Sequence, residues 1–229
     1  MKLLTVVKLD QCGNLQWKKC NKFYNLNNSK EIILTKFNNS GNILSINKYN
    51  TMDTSNQIIN PSISTDSLNN VYLTFSNNTG NSNFFNITLM KLDSSGNIIW
   101  SIQDPTLNTN KNNITPKIQV DGNFNIYLNY VSQNIKNGEI IGKYNVVVAK
   151  FNSSGNLLWI THNSQFNANS DNIRNTMDID GLGNIYVAYQ TLGKLPYGNN
   201  SGKYDIVVFK IDNNGNLLWT IEDPIYNTN

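Results

Sequence analysis

The chain has 229 residues, of which 14% are charged, well below the roughly 25% of an average globular protein. This length is sufficient for one large β domain, or two small ones, with a buried core. The net charge is only +3 and Arg174 is the only arginine. Because the basic residues are scattered, we expect no nucleic-acid partner.

The first apolar run, residues 3–7, is too short for a signal-peptide core or a membrane span. Cys12 and Cys20 are the only cysteines, and the predicted first hairpin keeps them apart. Free thiols are typical of a reducing compartment. From the sequence we therefore expect a cytoplasmic or virion protein without a membrane segment.

A ten-residue pattern, KLDSSGNIIW at residues 91–100, recurs along the chain. Its other copies are residues 8–17, 150–159 and 210–219, with a degenerate copy at 36–45. Two apolar runs around an Asp-x-x-Gly-Asn turn predict a β-hairpin. In that turn we expect Asp93 to accept backbone hydrogen bonds and Gly96 to adopt a positive φ.

A second pattern, an Asp-led turn followed by Asn-Ile/Val-Tyr, occurs at residues 66–75, 121–130 and 180–189, each time before a tryptophan hairpin. Four short strands in every repeat of about 60 residues predict a β-propeller blade. Both faces of these strands are apolar, so each sheet must be covered on both sides. The sequence thus predicts an all-β propeller of about four to five four-stranded blades, either open or completed by oligomerisation.

We expect one domain over residues 1–229. Residues 1–56 hold irregular or partial blades, and residues 57–112, 113–171 and 172–229 hold regular repeats. The run GKYDIVVFKIDNNGNLLW at 202–219, with 180–189 before it, resembles the seven-bladed β-propeller repeat. The likeness covers residues 57–222 and extends partly to residues 1–56. It implies a propeller. The chain departs from that family in copy number, since five tryptophan-type and three Asp-led hairpins make about four blades and not seven, and Asn145 stands where the pattern prefers Asp.

Residues at repeated positions are interpreted as structural. They are Trp17, Trp100, Trp159, Trp219, Gly13, Gly41, Gly96, Gly155, Gly215, Asp66, Asp121 and Asp180. We expect the tryptophans to be buried between blades and equivalent to one another. The repeated lysines Lys8, Lys36, Lys91, Lys150 and Lys210 are expected to border the turns and pair with turn carboxylates.

Candidate residues for chemistry are few. His162 is the only histidine, so no histidine-pair zinc site is predicted. We expect no catalytic residue, metal ligand or cofactor. A cluster of Asp171, Asp178, Arg174 and His162 in a central pocket would instead indicate an enzyme.

The features above predict a non-enzymatic structural or protein-interaction propeller. The Asn-, Ile-, Lys- and Tyr-rich composition suggests a virion or assembly component of a large AT-rich DNA virus. The alternative is a carbohydrate-binding, lectin-like propeller, and a propeller lyase or hydrolase is a third hypothesis. The repeat pattern starts and stops within a repeat, so we expect self-association through residues 1–30 and 219–229. The alternative is that residues 18–30 supply the missing strand and the ring closes alone with four or five blades. Other proteins or glycans are further possible partners.

Overall fold

The computed structural model describes residues 2–9, 15–23, 31–38, 40, 42–50, 57–78, 84–108, 111–133, 144–168, 170–196, 198 and 203–222. The described residues form antiparallel strands and no helix. The strands are β1 (Lys2–Leu9), β2 (Leu15–Phe23), β3 (Glu31–Phe37), β4 (Ile43–Asn50), β5 (Ile58–Thr65), β6 (Val71–Asn77), β7 (Asn86–Leu92), β8 (Ile98–Ile102), β9 (Asn113–Val120), β10 (Ile126–Ser132), β11 (Asn145–Phe151), β12 (Leu157–Thr161), β13 (Asn172–Ile179), β14 (Ile185–Thr191), β15 (Asp205–Ile211) and β16 (Leu217–Ile221).

Each set of four consecutive strands forms one antiparallel sheet in chain order. The first sheet is β1–β4, the second β5–β8, the third β9–β12 and the fourth β13–β16. Strand β9 contacts both β5 and β13, so the first strands of these three sheets lie side by side. We call β5, β9 and β13 the inner strands. The predicted all-β fold of four-stranded blades is confirmed, whereas the division of the chain into domain ranges stays a prediction.

Three apolar cores separate the four sheets, because alternate residues of each strand point to opposite faces. Ile32, Leu34, Val71, Leu73 and Phe75 belong to the core between the first and second sheets. Tyr72, Leu89, Ile126, Leu128 and Tyr130 belong to the next core. Tyr127, Val148, Ile185, Val187 and Phe209 belong to the core between the third and fourth sheets. Two-sided burial explains why strands such as β6 and β10 are apolar on both faces.

Within each tryptophan-type hairpin, the lysine and the tryptophan position are cross-strand partners. The pairs are Lys8–Trp17, Lys36–Ser45, Lys91–Trp100, Lys150–Trp159 and Lys210–Trp219. The first sheet contains two hairpins of this type, whereas each later sheet contains one of each type. The repeat pattern of the sequence is therefore visible directly in the strand pairing.

The turns have the predicted geometry. The Asp93 carboxylate accepts hydrogen bonds from the Ser95 and Asn97 N–H groups at 2.9 and 2.8 Å, and Gly96 has a φ of 90°. Asn152 makes the equivalent two bonds through its side-chain amide oxygen. Asx side chains therefore close these turns whether or not they are charged. Gly13 and Gly41 lie outside the described residues.

The tryptophans are not equally buried, contrary to the prediction. The rings of Trp100 and Trp159 are half-buried against the turn glycine of the following sheet, while Trp219 is 38% exposed. The reason is that no following sheet covers the fourth sheet in the described part of the chain. The side chain of Trp17 lies outside the described side chains. No described helix is long and apolar enough to cross a membrane.

Gly215 offers a test of the contact between sheets. A Cβ at this position would lie 3.0 Å from Cδ2 of the Trp159 ring, and the φ of +91° is strained for any side chain. We expect Gly215→Ala to lower the free energy of unfolding by about 1 to 3 kcal/mol. Gly122→Ala is the matched control, since nothing lies within 4 Å of a Cβ there. Urea unfolding of both variants measures the difference, and equal midpoints would contradict this account of the packing.

Acid stability offers a second test. The hydrogen bond from the Asn184 side chain is the main cause that lowers the pKa of Asp180 to about 2. Because the unfolded carboxyl titrates near 3.8, its stabilising contribution is complete above that pH and is lost as the pH falls through about 2. We expect Asp180→Asn to keep the turn, as Asn152 does, and to lose less stability than the wild type between pH 4 and pH 2. Urea midpoints at both pH values check this, and equal losses would contradict it.

Candidate binding site on the inner strands

A β-bulge interrupts each inner strand close to its beginning. Two residues of the inner strand stand opposite one residue of the second strand of the sheet. The bulged pairs are Asn60-Pro61, Thr115-Pro116 and Arg174-Asn175, opposite Phe75, Tyr130 and Tyr189. A bulge bends its strand and changes the direction of its side chains. The three bulges therefore form one repeated feature where the inner strands meet.

The first residue of each bulge is in the left-handed region of φ. The φ values are 51° for Asn60, 55° for Thr115 and 56° for Arg174. Such a conformation costs a non-glycine residue about 1 to 3 kcal/mol, and it is least expected for a β-branched residue such as Thr115. Glycine would relieve this strain at all three positions, yet glycine occupies none of them. The side chains are therefore candidates for a role beyond the fold.

The backbone of the bulge repeats, whereas the side chains differ in chemistry. Asn60 and Thr115 are half-buried, and Arg174 is exposed. Among the described residues, Arg174 has Gln190 as its hydrogen-bond partner, with Nη1 donating to Oε1 at 3.0 Å. An arginine has five N–H donors in a planar fork. Arg174 thus has donors available for a ligand at the inner strands.

A buried polar network holds the bulge of the fourth sheet in place. Asn175 is 3% exposed, and its amide group donates to the side-chain oxygen of Asn129 and to the Thr115 carbonyl. Its Oδ1 accepts a hydrogen bond of 2.7 Å from the Thr115 hydroxyl. Buried amides that have all their partners make a structure rigid and specific. The Asn175 network therefore fixes the backbone from which Arg174 projects.

Charged and polar groups continue along the inner strands. Ile118 packs into the core towards the second sheet, so its neighbours Lys117 and Gln119 face the fourth sheet. Gln119 donates to the Asp178 carboxylate at 3.5 Å. Burial lowers the pKa of the Lys117 amine. We call Asn60, Lys117, Gln119, Arg174 and Asp178, together with Gln190 on the adjacent strand β14, the inner-strand polar cluster.

The sequence named Asp171, Asp178, Arg174 and His162 as a cluster that would indicate an enzyme. In the structure, three of these four residues have different hydrogen-bond partners. Asp171 accepts from the Tyr144 N–H, Arg174 donates to Gln190, and Asp178 accepts from Gln119. His162 directly follows β12, the last strand of the third sheet, whereas Arg174 and Asp178 lie on β13. Only Arg174 and Asp178 thus share an inner strand.

The sequence does not single out Asn60, Thr115 and Lys117, because asparagine, threonine and lysine are ordinary residues in this chain. A signal was nevertheless present in Pro61 and Pro116. Proline within a sheet is confined to edges, strand starts and bulges, since it has no N–H for the ladder. Two prolines at matching repeat positions therefore indicate bulges. Among the described residues, no group of three His, Cys, Asp or Glu side chains is arranged to hold a metal ion.

The repeated lysines make contacts different from those predicted. Lys36, Lys91 and Lys150 each donate to a backbone carbonyl of the next sheet's turn. Lys150 also donates to the side-chain oxygen of Asn213 in that turn. Lys210 is 3.7 Å from the Asp180 carboxylate. The predicted pairing with turn carboxylates is thus wrong for Lys91 and Lys150, whose described partners lie in the turn of the next sheet.

No protein-family model matches this sequence, and a search of curated proteins also finds no match. Solved structures do resemble it. An ulvan lyase of polysaccharide lyase family PL25, bound to -[GlcA(1-4)Rha3S]-, is similar with a TM-score of 0.62 and 8% sequence identity, over 96% of this chain and 54% of the lyase. A thermostable family-43 glycoside hydrolase is similar with a TM-score of 0.55 and 15% identity, over 99% of this chain and 72% of the hydrolase. The chain spans about half the length of the lyase.

These similarities support a propeller-type fold, and at such low identity they show the fold alone. The predictions of a non-enzymatic structural or virion module, and of a chain that is not an enzyme, are wrong in the light of this comparison. Both similar structures belong to carbohydrate-active enzymes. The sequence did not indicate such an enzyme, because nearly all of its distinctive residues form turns and strands.

Arg174→Gly tests whether the Arg174 side chain contributes to the stability of the fold or only to a site on its surface. Glycine adopts a φ of +56° without strain, and Arg174 is exposed, so little packing is lost. We expect the variant to be as stable as the wild type or up to about 1 kcal/mol more stable. Urea unfolding measures this. A clear loss of stability would show that Arg174 has a structural role, and Thr176→Gly on the same strand is the control that should destabilise.

Proposed function

We propose that this chain is a carbohydrate-binding propeller and that the inner-strand polar cluster is its binding site. The observation that carries the proposal is the strained bulge at the same place on three inner strands, with Asn60, Thr115 and Arg174 in the left-handed conformation. Strain of this kind persists at ligand sites when the surrounding structure enforces it. Here the Asn175 network supplies that enforcement at two of the three bulges.

The chemistry of the cluster suits sugar hydroxyl groups, which both donate and accept hydrogen bonds. Asn60, Gln119 and Gln190 carry amides with donors and acceptors, and Arg174 adds a planar set of donors. Several short, directional polar groups on rigid strands are a better match for an oligosaccharide than for an apolar ligand. The carbohydrate-active enzymes of similar fold support the same class of ligand.

The charges favour an anionic saccharide. Lys117 and Arg174 are cationic and Asp178 is the single carboxylate of the cluster. Arginine binds carboxylate and sulfate groups through two parallel hydrogen bonds, which a lysine does not reproduce. Burial lowers the pKa of Lys117, so an anion bound beside it would stabilise its charged form. The similar ulvan lyase was solved with a glucuronate- and sulfate-bearing oligosaccharide.

In this proposal the repeat is a variant of the seven-bladed β-propeller repeat, and the chain contains four sheets of it.

Titration calorimetry with a uronate- and sulfate-containing oligosaccharide tests the proposal. We expect wild-type protein to bind it and Arg174→Ala to bind about tenfold to a hundredfold more weakly, because hydrogen bonds to charged groups contribute about 1.5 to 3 kcal/mol. Arg174→Lys should recover only part of the affinity, since it keeps the charge and loses the planar fork.

Lys48→Ala is the matched control. Lys48 is exposed on β4 of the first sheet, so its removal subtracts one positive charge away from the inner strands. Its affinity should equal that of the wild type. A dextran of similar length tests the preference for anions. Equal weakening by Arg174→Ala and Lys48→Ala would indicate non-specific charge attraction, and no binding of either saccharide would refute the proposed function.

A further inference from the structure

An aromatic residue lies directly before the third strand of each of the last three sheets. The residues are Phe85 before β7, Tyr144 before β11 and Tyr204 before β15. Strand pairing places all three at the end of the sheets where the inner strands begin. The bulges lie at the same end. The aromatic residues are therefore repeated at the end of the sheets that carries the proposed binding site.

The backbone of Tyr144 is held by the start of the next inner strand. Its N–H donates to Oδ1 of Asp171 at 3.2 Å, and its carbonyl accepts from the Asn172 N–H at 3.0 Å. The Asn172 side chain adds a second hydrogen bond to the same carbonyl at 2.9 Å. Arg174 follows two residues later on β13, about 7 Å along the strand. Tyr144 is thus fixed beside the bulge that carries Arg174.

Phe85 is held in the same way by the start of β9. Its N–H donates to Oδ1 of Asn112 at 3.1 Å, and its carbonyl accepts from the Asn113 N–H at 2.8 Å. Thr115, the first residue of the bulge on β9, follows two residues later. An aromatic residue is therefore fixed beside a bulge at both junctions between the last three sheets.

Asn112 links the two aromatic residues. Its side chain accepts from the Phe85 N–H and also makes a hydrogen bond with the Tyr144 hydroxyl. Burial raises the pKa of that hydroxyl, and the bond with Asn112 partly offsets the rise. The backbone of Asn112 is itself paired, since its carbonyl accepts from the Gln133 N–H at 3.0 Å. Tyr144 is therefore anchored at its backbone and at the tip of its ring, and Phe85 lies one asparagine side chain away.

The fold does not require aromatic rings at these positions. The backbone hydrogen bonds can be made by any residue except proline. Phe85 and Tyr204 lie outside the three apolar cores of the described residues, and Tyr204 is 46% exposed. Tyr144 packs against one core and remains half-buried. The adjacent Phe84 differs, because the Lys111 amine lies 5.3 Å from the centre of its ring. The repeated aromatic side chains are therefore available for a role beyond the fold.

We propose that Tyr144 and Phe85 are the stacking platforms for two neighbouring sugar rings of the bound saccharide. This inference rests on the proposed function of the inner-strand polar cluster. One face of a pyranose ring consists of C–H groups, which fit the electron-rich face of an aromatic ring. The sugar on Tyr144 lies next to Arg174, so it is the one that carries the acidic group. The sugar on Phe85 lies next to Thr115, whose hydroxyl donates to Asn175 and can still accept from a sugar hydroxyl.

Leucine and phenylalanine variants test this proposal by calorimetry with the uronate- and sulfate-containing oligosaccharide. Tyr144→Leu and Phe85→Leu keep an apolar side chain and lose the aromatic face, so we expect each to bind about twofold to tenfold more weakly. Tyr144→Phe keeps the ring and should bind as the wild type does. The weakening by Tyr144→Leu should be the same at low and high salt, whereas that by Arg174→Ala should shrink as the salt concentration rises.

Proton NMR of the saccharide gives a direct readout of stacking. Protons that lie over an aromatic ring shift upfield, so the wild type and Tyr144→Phe should shift the C–H protons of two sugar rings. Each leucine variant should abolish the shift of one ring. The absence of an upfield shift with the wild type would overturn the proposal, even if a variant failed to fold.

Leu182→Ala is the matched control. Leu182 is 80% exposed in the turn between β13 and β14, at the opposite end of the fourth sheet, so its loss should leave binding unchanged. Unfolding midpoints close to that of the wild type would show that the variants are folded. Leucine variants with the affinity of a wild type that binds would overturn this inference and leave the proposed function intact. A wild type that binds no saccharide would refute the proposed function and this inference with it.

Discussion

The structure depends on one contact, in which the tryptophan-hairpin turn of one sheet lies on the lysine and tryptophan row of the sheet before it. This contact explains several features of the sequence together. The turn requires glycine, because its φ is positive and an aromatic ring lies against its Cα in Gly155 and Gly215. The lysine donates to a carbonyl of that turn and so links the two sheets by a hydrogen bond. The strands of the second and third sheets are apolar on both faces, because each of these sheets packs against two others.

The same contact makes the row of sheets modular. Stability in such arrays comes from each unit and from its junctions with its neighbours, so the fourth sheet can keep the local structure of the second and third sheets and differ from them in exposure. The fourth sheet illustrates this point. Strand β14 alternates between buried and half-buried residues, whereas β6 and β10 are buried throughout. Tyr186 is half-buried and Trp219 is 38% exposed, whereas Tyr72 and Tyr127, at the repeat position of Tyr186, are fully buried.

The inner strands combine a repeated backbone with side chains that differ between repeats. Their backbone repeats as strictly as the turns do, down to the bulge and its left-handed residue, but the side chains at that residue are Asn, Thr and Arg. The bulge backbone is thus the same in the three repeats, whereas the side chains available to a ligand differ from one repeat to the next. The scaffold here is enforced from beneath by Asn175 and Asn129, which span the third and fourth sheets. The polar cluster is therefore held by the same packing that holds the sheets together, and its position depends on more than one repeat.

Short-range signals in the sequence specify the local structure of this protein. Asp93, Gly96 and the alternating apolar residues specify hairpins through short-range hydrogen bonds and φ preferences, so the four-stranded repeats and the all-β class could be predicted from spacing alone. The covered faces, the acceptor that each lysine reaches and the placement of the bulges at Asn60, Thr115 and Arg174 on neighbouring inner strands follow from the tertiary structure. Pro61 and Pro116 marked two of the bulges without revealing that β5, β9 and β13 lie side by side. Contacts between residues some 60 positions apart depend on how the sheets stack, and a period in the sequence does not contain that information.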